Sequence, residues 1–203
     1  MTKRLTIIQG DLTLLPLQRG AIINPSNTGL VLTSRGVNQS IARRAGPFIQ
    51  QTMHTERSRL RGGRLEGGNV LVTDAGQLSV SKLIHVAIVG ARKINARLIA
   101  RGLLNAYDAA NEHGMVQVAL PPLGPGISKF PFEEFMELFW SVTAEEFPQF
   151  ESVREIYLCV DSAQQLDYAT QYAEEHAEEM DEDIELIVSE DGIDLSMFTA
   201  QFH

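Results

Sequence analysis

The sequence predicts an α/β protein, a three-layer α/β/α sandwich around a mixed, mostly parallel central sheet. Three observations carry this. Short apolar runs of strand length alternate with longer segments of helical periodicity, in the order β-β-α-β-β-α-β-α-β-α. Strands separated by single helices require a largely parallel sheet with helices packed on both faces. Several loops rich in Gly, Pro and polar residues follow strands directly, and in such sheets ligands sit at the carboxyl ends of the strands. Finally, 203 residues at 44% hydrophobic and 21% charged content are enough for one domain with a proper core and something extra.

Taken in order, Leu5 to Ile8 and Ala21 to Ile23 read as the first two strands. Gly10-Asp11 cuts off the first, and Asn24-Pro25-Ser26-Asn27 the second. A Gly-containing loop leads to a helical pattern from about Gly36 to Gln51. Strand, polar loop and helix together present backbone N–H groups and a helix N-terminus to an anion. Pro25 fixes its own φ and lacks a donor. Asn24 and Asn27 bracket it with amides that both donate and accept. The same residues are also ordinary turn chemistry, and this stretch alone does not separate the two readings.

Gln50 to Gly68 is polar and rich in Arg and Gly, and reads as a surface excursion. Asn69 to Thr73 is a strand, Asp74-Ala75-Gly76 a turn, and Lys82 to Val89 a continuous apolar run that reads as a buried strand. His85 lies inside that run and reads as a core histidine before a catalyst. Asn95 to His113 carries apolar residues at helical spacing and stops at Gly114. Val116 to Leu120 is a strand, and Pro121 to Pro131 a loop made stiff by Pro and open by Gly. Phe132 to Phe147 is a helix whose aromatic face (Phe132, Phe135, Phe139, Trp140) reads as core. Arg154 to Val160 is a strand, followed by Asp161 and a helix from about Ala163 to Glu178. The loops at Gly10-Asp11, Asn24 to Gly36 and Pro121 to Pro131 all leave strands, so they converge on one crevice.

The net charge of −9 hides an asymmetry. Residues 1–154 hold all 17 basic groups against 12 acidic ones, while residues 155–203 hold 14 acidic groups and no Lys or Arg. A mildly basic body suits an anionic ligand, unless its arginines are simply solvated. Eight carboxylates crowd residues 174–185, yet Ile184 to Val188 and Ile193 to Phe198 are apolar enough to dock. The terminal segment is therefore expected to fold back on the body. Cys159 is the single cysteine, which excludes an internal disulfide and a Cys-rich zinc site. No metal and no cofactor is expected. Neither a secretory signal nor a membrane-length apolar run is visible, so a cytoplasmic protein with no membrane partner is the expectation.

With both phosphate-type loops in view, the chain resembles the macro domain family, which binds ADP-ribose. The resemblance rests on GDLT at 10–13, AIINPSN at 21–27, SRGVNQSIARRAGP at 34–47, GGNVLVT at 67–73, KLIHVAIVG at 82–90 and LPPLGPGISKFP at 120–131. It covers about residues 3–170. Hence it implies a macro-type domain over 1–170 and an acidic C-terminal extension over 171–203.

The resemblance also implies roles. Asp11, with Leu12 beside it, matches the acid that accepts a hydrogen bond from the adenine amino group, and Asn27 the asparagine that holds the distal ribose. Arg35, Gly36, Val37 and Asn38 fall in the first phosphate loop, and Gly124, Gly126, Ile127 and Ser128 in the second. Two glycines usual in the first loop are absent here, where Arg35 supplies charge instead. The acid that hydrolytic members place after the valine is Asn38, and an amide is no general base at neutral pH. Val160 stands where an aromatic residue often stacks on adenine, and offers less contact area. The Asn-Pro-Ser-Asn loop is more similar to the macro domain of a histone variant, a binding module. Three functions follow in order: binding of ADP-ribose or an ADP-ribosylated protein, hydrolysis of ADP-ribosyl bonds by substrate assistance, and nucleic-acid binding through the Arg-rich body. No catalytic residue is assigned.

Overall fold

The computed structural model describes residues 2–90, 94–126, 129–189 and 192–193. Its strands are β1 (Lys3–Gln9), β2 (Gly20–Asn27), β3 (Val70–Asp74), β4 (Lys82–Val89), β5 (Gln117–Leu120), β6 (Glu155–Val160) and β7 (Ile184–Ser189). The helices are α1 (Gly36–Arg44), α2 (Ile49–Ser58), α3 (Ala96–Glu112), α4 (Phe132–Glu146) and α5 (Ala163–Glu175). Among the described residues the strands form one sheet in the order β3-β4-β2-β5-β6-β1-β7. Every pair is parallel except β3 with β4.

Alternation along the strands builds two cores, one on each face. On β4, Ile84, Val86 and Ile88 join Leu5, Ile7, Ile23 and Leu158 under the aromatic side of α4 and the apolar stripe of α3. Leu83 and Ala87 point the other way, toward Ile8, Ile22, Ile41, Ile49 and Met53 beneath α1 and α2. Such period-2 alternation gives each residue one face, and a slip of one residue would invert all of them. The three-layer α/β/α architecture read from the sequence is thus present, with the expected mixed sheet.

Three local expectations are corrected. The helical pattern read as continuous from Gly36 to Gln51 is two helices. The Ala45 amide still bonds Ile41 O at 2.8 Å, but Gly46 then turns to φ +86° and Pro47 has no amide to continue the ladder. The gap is filled from outside: the Gln77 amide bonds Ala45 O at 3.0 Å. The polar stretch from Gln50 is not a plain excursion, because nearly its first half forms α2. Ile49 and Met53, four apart, supply the buried stripe, while Gln51, His54 and Thr55 are exposed. Lastly, α5 ends at Glu175 rather than Glu178, where the His176 carbonyl accepts from Trp140 Nε1 at 3.1 Å.

The segment read as an acidic extension contributes to the sheet. Ile184–Ser189 pairs in parallel with β1, from Lys3↔Ile184 to Ile8↔Ser189. Residues 194–198 of the second apolar stretch lie outside the described residues. Cutting the chain after Glu175 is expected to lower the melting temperature by at least about 5 °C, since it strips β1 of a full neighbour. It should also raise retention on heparin by removing most of the acidic run. An unchanged melting temperature would mean that β7 adds nothing to the fold.

Candidate functional site

The carboxyl ends of β1, β2, β5 and β6 and the N-terminus of α1 enclose a cavity of about 470 Å³. Its walls are made by Gln9 to Leu12 after β1, Pro25 on β2, Gly36 to Ser40 of α1, Pro121, Pro122, Pro125 and Gly126 after β5, and Cys159, Asp161 and Gln165 at and beyond the end of β6. The three loops expected to converge therefore meet in one crevice.

Helix α1 opens on this cavity without a cap. Arg35 occupies the N-cap in extended conformation and makes no side-chain cap hydrogen bond, and no acid sits in the first turn. The first amides of a helix have no intrahelical acceptor and carry about half a positive charge between them. An uncapped N-terminus facing a cavity is therefore an anion seat. The loop leading to it is pinned by α2. Gln50 bonds both the Leu32 amide (2.7 Å) and the Leu30 carbonyl (3.1 Å), and Arg57 Nη1 donates to Gly29 O at 2.9 Å.

Asp11 lines the same cavity, beside Ser40 and Arg44 of α1. One carboxylate oxygen, Oδ1, accepts from the Thr13 amide at 3.0 Å and the Thr13 hydroxyl at 2.6 Å, so it caps the short 3-10 turn Leu12–Leu14. The other, Oδ2, lies 3.8 Å from Arg44 Nε. Burial pushes the Asp11 pKa up, but hydrogen bonds from Thr13 and Ser40 and the charge of Arg44 outweigh it and hold the acid below its ordinary value. Asp11 is thus an ionised acceptor at neutral pH. Burial and the Asp11 charge raise the Cys159 thiol far above its ordinary pKa, so it stays protonated and unreactive.

Beneath α1 runs a buried polar row. Asn38 Nδ2 donates to Pro25 O at 2.9 Å, which leaves its Oδ1 to accept from Asn24 Nδ2 at 3.4 Å. Asn24 Nδ2 also meets His85 Nδ1 at 3.2 Å, and His85 Nε2 meets Thr73 Oγ1 at 3.0 Å. The amide of Asn38 fixes that of Asn24, and Asn24 can only donate to His85. The His85 proton therefore sits on Nε2 and points to Thr73. Burial lowers the His85 pKa to about 4, so the ring is neutral. This agrees with the reading of His85 as a core residue, with the addition that it props the wall of the crevice.

Of the residues singled out from the sequence, Asp11, Leu12, Gly36, Val37, Asn38 and Gly126 line the cavity. Arg35 is exposed at the N-cap of α1. Asn27 turns its amide to the loop that follows, donating to Val31 O at 2.6 Å and accepting from the Val31 amide at 3.2 Å. Gly124 is backed by Phe130, whose Cβ would lie 2.8 Å from a Cβ placed there. Val160 is fully buried in the core on the α3–α4 side, and the crevice takes Cys159 instead. Ile127 and Ser128 lie outside the described residues. Strand parity is the signal for Cys159: Leu158 and Val160 share one face, so Cys159 must take the other. Asp161 and Gln165 were also passed over, although Val160-Asp161 repeats the strand-end acid of Gly10-Asp11. Among the described residues no group of three or more His, Cys, Asp or Glu is placed to hold a metal ion. Nor is any helix of the described residues long and apolar enough to cross a membrane.

Comparison with known proteins finds the same architecture. A solved Oceanobacillus iheyensis macrodomain with ADP superposes with a TM-score of 0.76 at 20% identity, covering 86% of this chain and 92% of that one. The Trypanosoma brucei macrodomain in complex with ADP-ribose gives 0.72 at 16% identity, over 82% and 68% of the two chains. In sequence, a Pantoea vagans protein named O-acetyl-ADP-ribose deacetylase 1 is 33% identical over 136 residues, 64% of this chain and 75% of the relative. A Salmonella newport protein named O-acetyl-ADP-ribose deacetylase is 28% identical over 165 residues, 79% and 89% of the two. These names are of deacetylases, not of histone variants, so the likeness of the Asn-Pro-Ser-Asn loop to the latter finds no echo among them. Residues 23–139 match the family model described as Macro domain. That match runs from within β2 to within α4, more than half of all residues, and with it the chain belongs to the macro domain family.

Proposed function

We propose that the chain binds ADP-ribose, free or attached to a protein, in the crevice at its strand ends. The observation that carries this is an uncapped α1 N-terminus and an ionised Asp11 lining one cavity. A pyrophosphate wants backbone N–H donors, and an adenine amino group wants an anionic acceptor. Asp11 Oδ2 is the oxygen for that role: Oδ1 holds Thr13, whereas Oδ2 has Arg44 only at 3.8 Å. Calorimetric titration is expected to give a dissociation constant on the order of micromolar, or about 8 kcal/mol. Asp11→Ala should cost roughly 1.5–3 kcal/mol, the range for a hydrogen bond to a charged group. AMP should bind more weakly than ADP-ribose. Absence of binding at high micromolar protein, or full binding by the Asp11 variant, would refute this assignment, and tight, steeply salt-dependent retention on polynucleotide would favour a nucleic-acid role instead.

Hydrolysis of an ADP-ribosyl bond is the second reading, favoured by the deacetylase names of the sequence relatives. Binding without turnover is preferred for three reasons. The position after Val37 is an amide already engaged with Pro25 O. The carboxylates lining the crevice, Asp11 and Asp161, both stand on its β1–β6 side. The Asn-Pro-Ser-Asn loop is similar to that of a binding module. Wild type is expected to show little or no release of ADP-ribose from modified acidic side chains. Robust release that survives Asn38→Ala and is lost in Asn27→Ala would overturn the preference and point to substrate assistance.

A further inference from the structure

We propose that Ile193, in the segment that follows β7, is a positioning residue for Asp11 and thereby sets the nucleobase selectivity of the crevice. The inference rests on the ADP-ribose reading above and concerns a residue outside the family match, which ends at 139.

The path to the crevice follows from the register. Because β7 pairs with β1 up to Ile8↔Ser189, the chain leaves the sheet beside Gln9 and Gly10. The Ser189 hydroxyl donates to Gly192 O at 3.1 Å, and Gly192 lies at the end of β1, where a Cβ on it would be 3.3 Å from Gln9 O. Ile193 lands on Gly10, packed against the same core cluster as Ile8, Leu12 and Cys159. A Cβ on residue 10 would lie 2.8 Å from Ile193 Cδ1 and 2.9 Å from Cγ1. Ile193 therefore fills the space that a side chain at residue 10 would take.

That packing has a mechanical meaning. Gly10 sits at φ +146°, a conformation open to glycine alone, and a glycine costs little to rotate. It is the residue directly before the acid. The Gly10 amide is fixed on one side by Val160 O at 2.9 Å. On the other side, Ile193 closes the space into which Gly10 would turn, while Leu12 in the core and Ser40 and Arg44 beside the carboxylate hold the turn farther along. The Asp11–Thr13 turn is rigid within itself through the Thr13 hydrogen bonds, so rotation at Gly10 would swing the whole turn, and Asp11 Oδ2 with it. A hydrogen-bond acceptor reads a base only when its place is fixed.

The test compares ADP-ribose with its hypoxanthine counterpart, in which a 6-oxo group replaces the amino donor. Calorimetry on the full chain should show that wild type prefers the adenine ligand. I193A should lower that preference about fivefold, and I193L, which still covers Gly10, should restore most of it. Loss of stability alone would weaken both ligands equally and leave the preference intact, and that result would overturn the proposal. Should I193A fail to fold, I193V removes only Cδ1, the atom nearest Gly10, and should lower the preference by about half. An unchanged preference in I193V is equally fatal. Wild type that binds ADP-ribose without preferring adenine refutes the Asp11 role and this proposal with it, whereas wild type that binds neither ligand refutes the function itself.

Discussion

Asn38→Asp should destabilise the protein by about 2–3 kcal/mol at neutral pH, and the loss should shrink as the pH falls. Asn38 is 3% exposed and gives its amide hydrogen to Pro25 O at 2.9 Å. An ionised carboxylate has no hydrogen to give. It would face the Pro25 carbonyl with a second acceptor, leave that carbonyl unsatisfied, and bury a charge; the unsatisfied group alone costs about 1–3 kcal/mol. The α1 N-terminus favours a negative charge in its first turn, but by only about 0.3–1 kcal/mol. The penalty therefore wins. Protonation reverses it, because a carboxylic acid donates to Pro25 O and accepts from Asn24 much as the amide does. Asn38→Ala, which loses both bonds and cannot titrate, should show a penalty that does not vary with pH. Urea unfolding of the two variants at pH 7.5 and 5 separates the cases. An Asn38→Asp protein as stable as wild type at pH 7.5 would mean that the row under α1 is not held as described.

The second large effect belongs to His85. Its ring is fully buried between Asn24 and Thr73, and burial holds its pKa at about 4 against an unfolded value near 6.5. Above pH 6.5 neither state binds the proton, and the contribution to stability is complete. Between pH 6.5 and 4 the unfolded chain takes up a proton that the folded one refuses. Stability should therefore fall by about 1.4 kcal/mol per pH unit, to a total loss of about 3 kcal/mol. Below pH 4 the folded ring protonates as well and this contribution levels off. His85→Gln keeps an acceptor and a donor but does not titrate. The difference in unfolding free energy between wild type and His85→Gln should rise through the window from pH 4 to 6.5 and be flat above it. A flat difference throughout would show that the ring is solvated. Asp11, with a lowered pKa, adds its own loss only at still lower pH.

Where packing and periodicity agree, the chain declares itself. β4 is apolar throughout because both its faces are buried, and its bounds, Lys82–Val89, are those read from the sequence. The stripe of α3 reads because one face is buried and the other exposed, at helical spacing. α2 was hidden because Ile49 and Met53 are two residues among Gln, His, Glu and Arg, so its composition resembled a loop. The docking of Ile184 to Val188 was legible from its apolar residues, but not that it would dock as a strand, because it follows a run of carboxylates and pairs with a strand about 180 positions earlier. Much of the crevice was legible because polar loops after strands are conspicuous. The hydrogen bonds that commit Asn27 to Val31 and Asn38 to Pro25 were not, since both depend on backbone directions inside a turn. Cys159 and Ile193 needed, respectively, the parity of a strand and the return of a distant segment.

The place of β1 in the sheet also bears on how the molecule comes to be. The first strand made is an inner one, flanked by β6 through Arg4↔Glu155 and by β7 through Lys3↔Ile184. During synthesis it has no neighbour until about 150 further residues have emerged, whereas β2, β4 and β5 meet much sooner. Pairing across such separations pays its loop-closure entropy before any contact rewards it, so it is slow. The half of the crevice that carries Asp11 is thus expected to be the last to form, and a chain stalled before β6 would hold a phosphate loop with nothing opposite it.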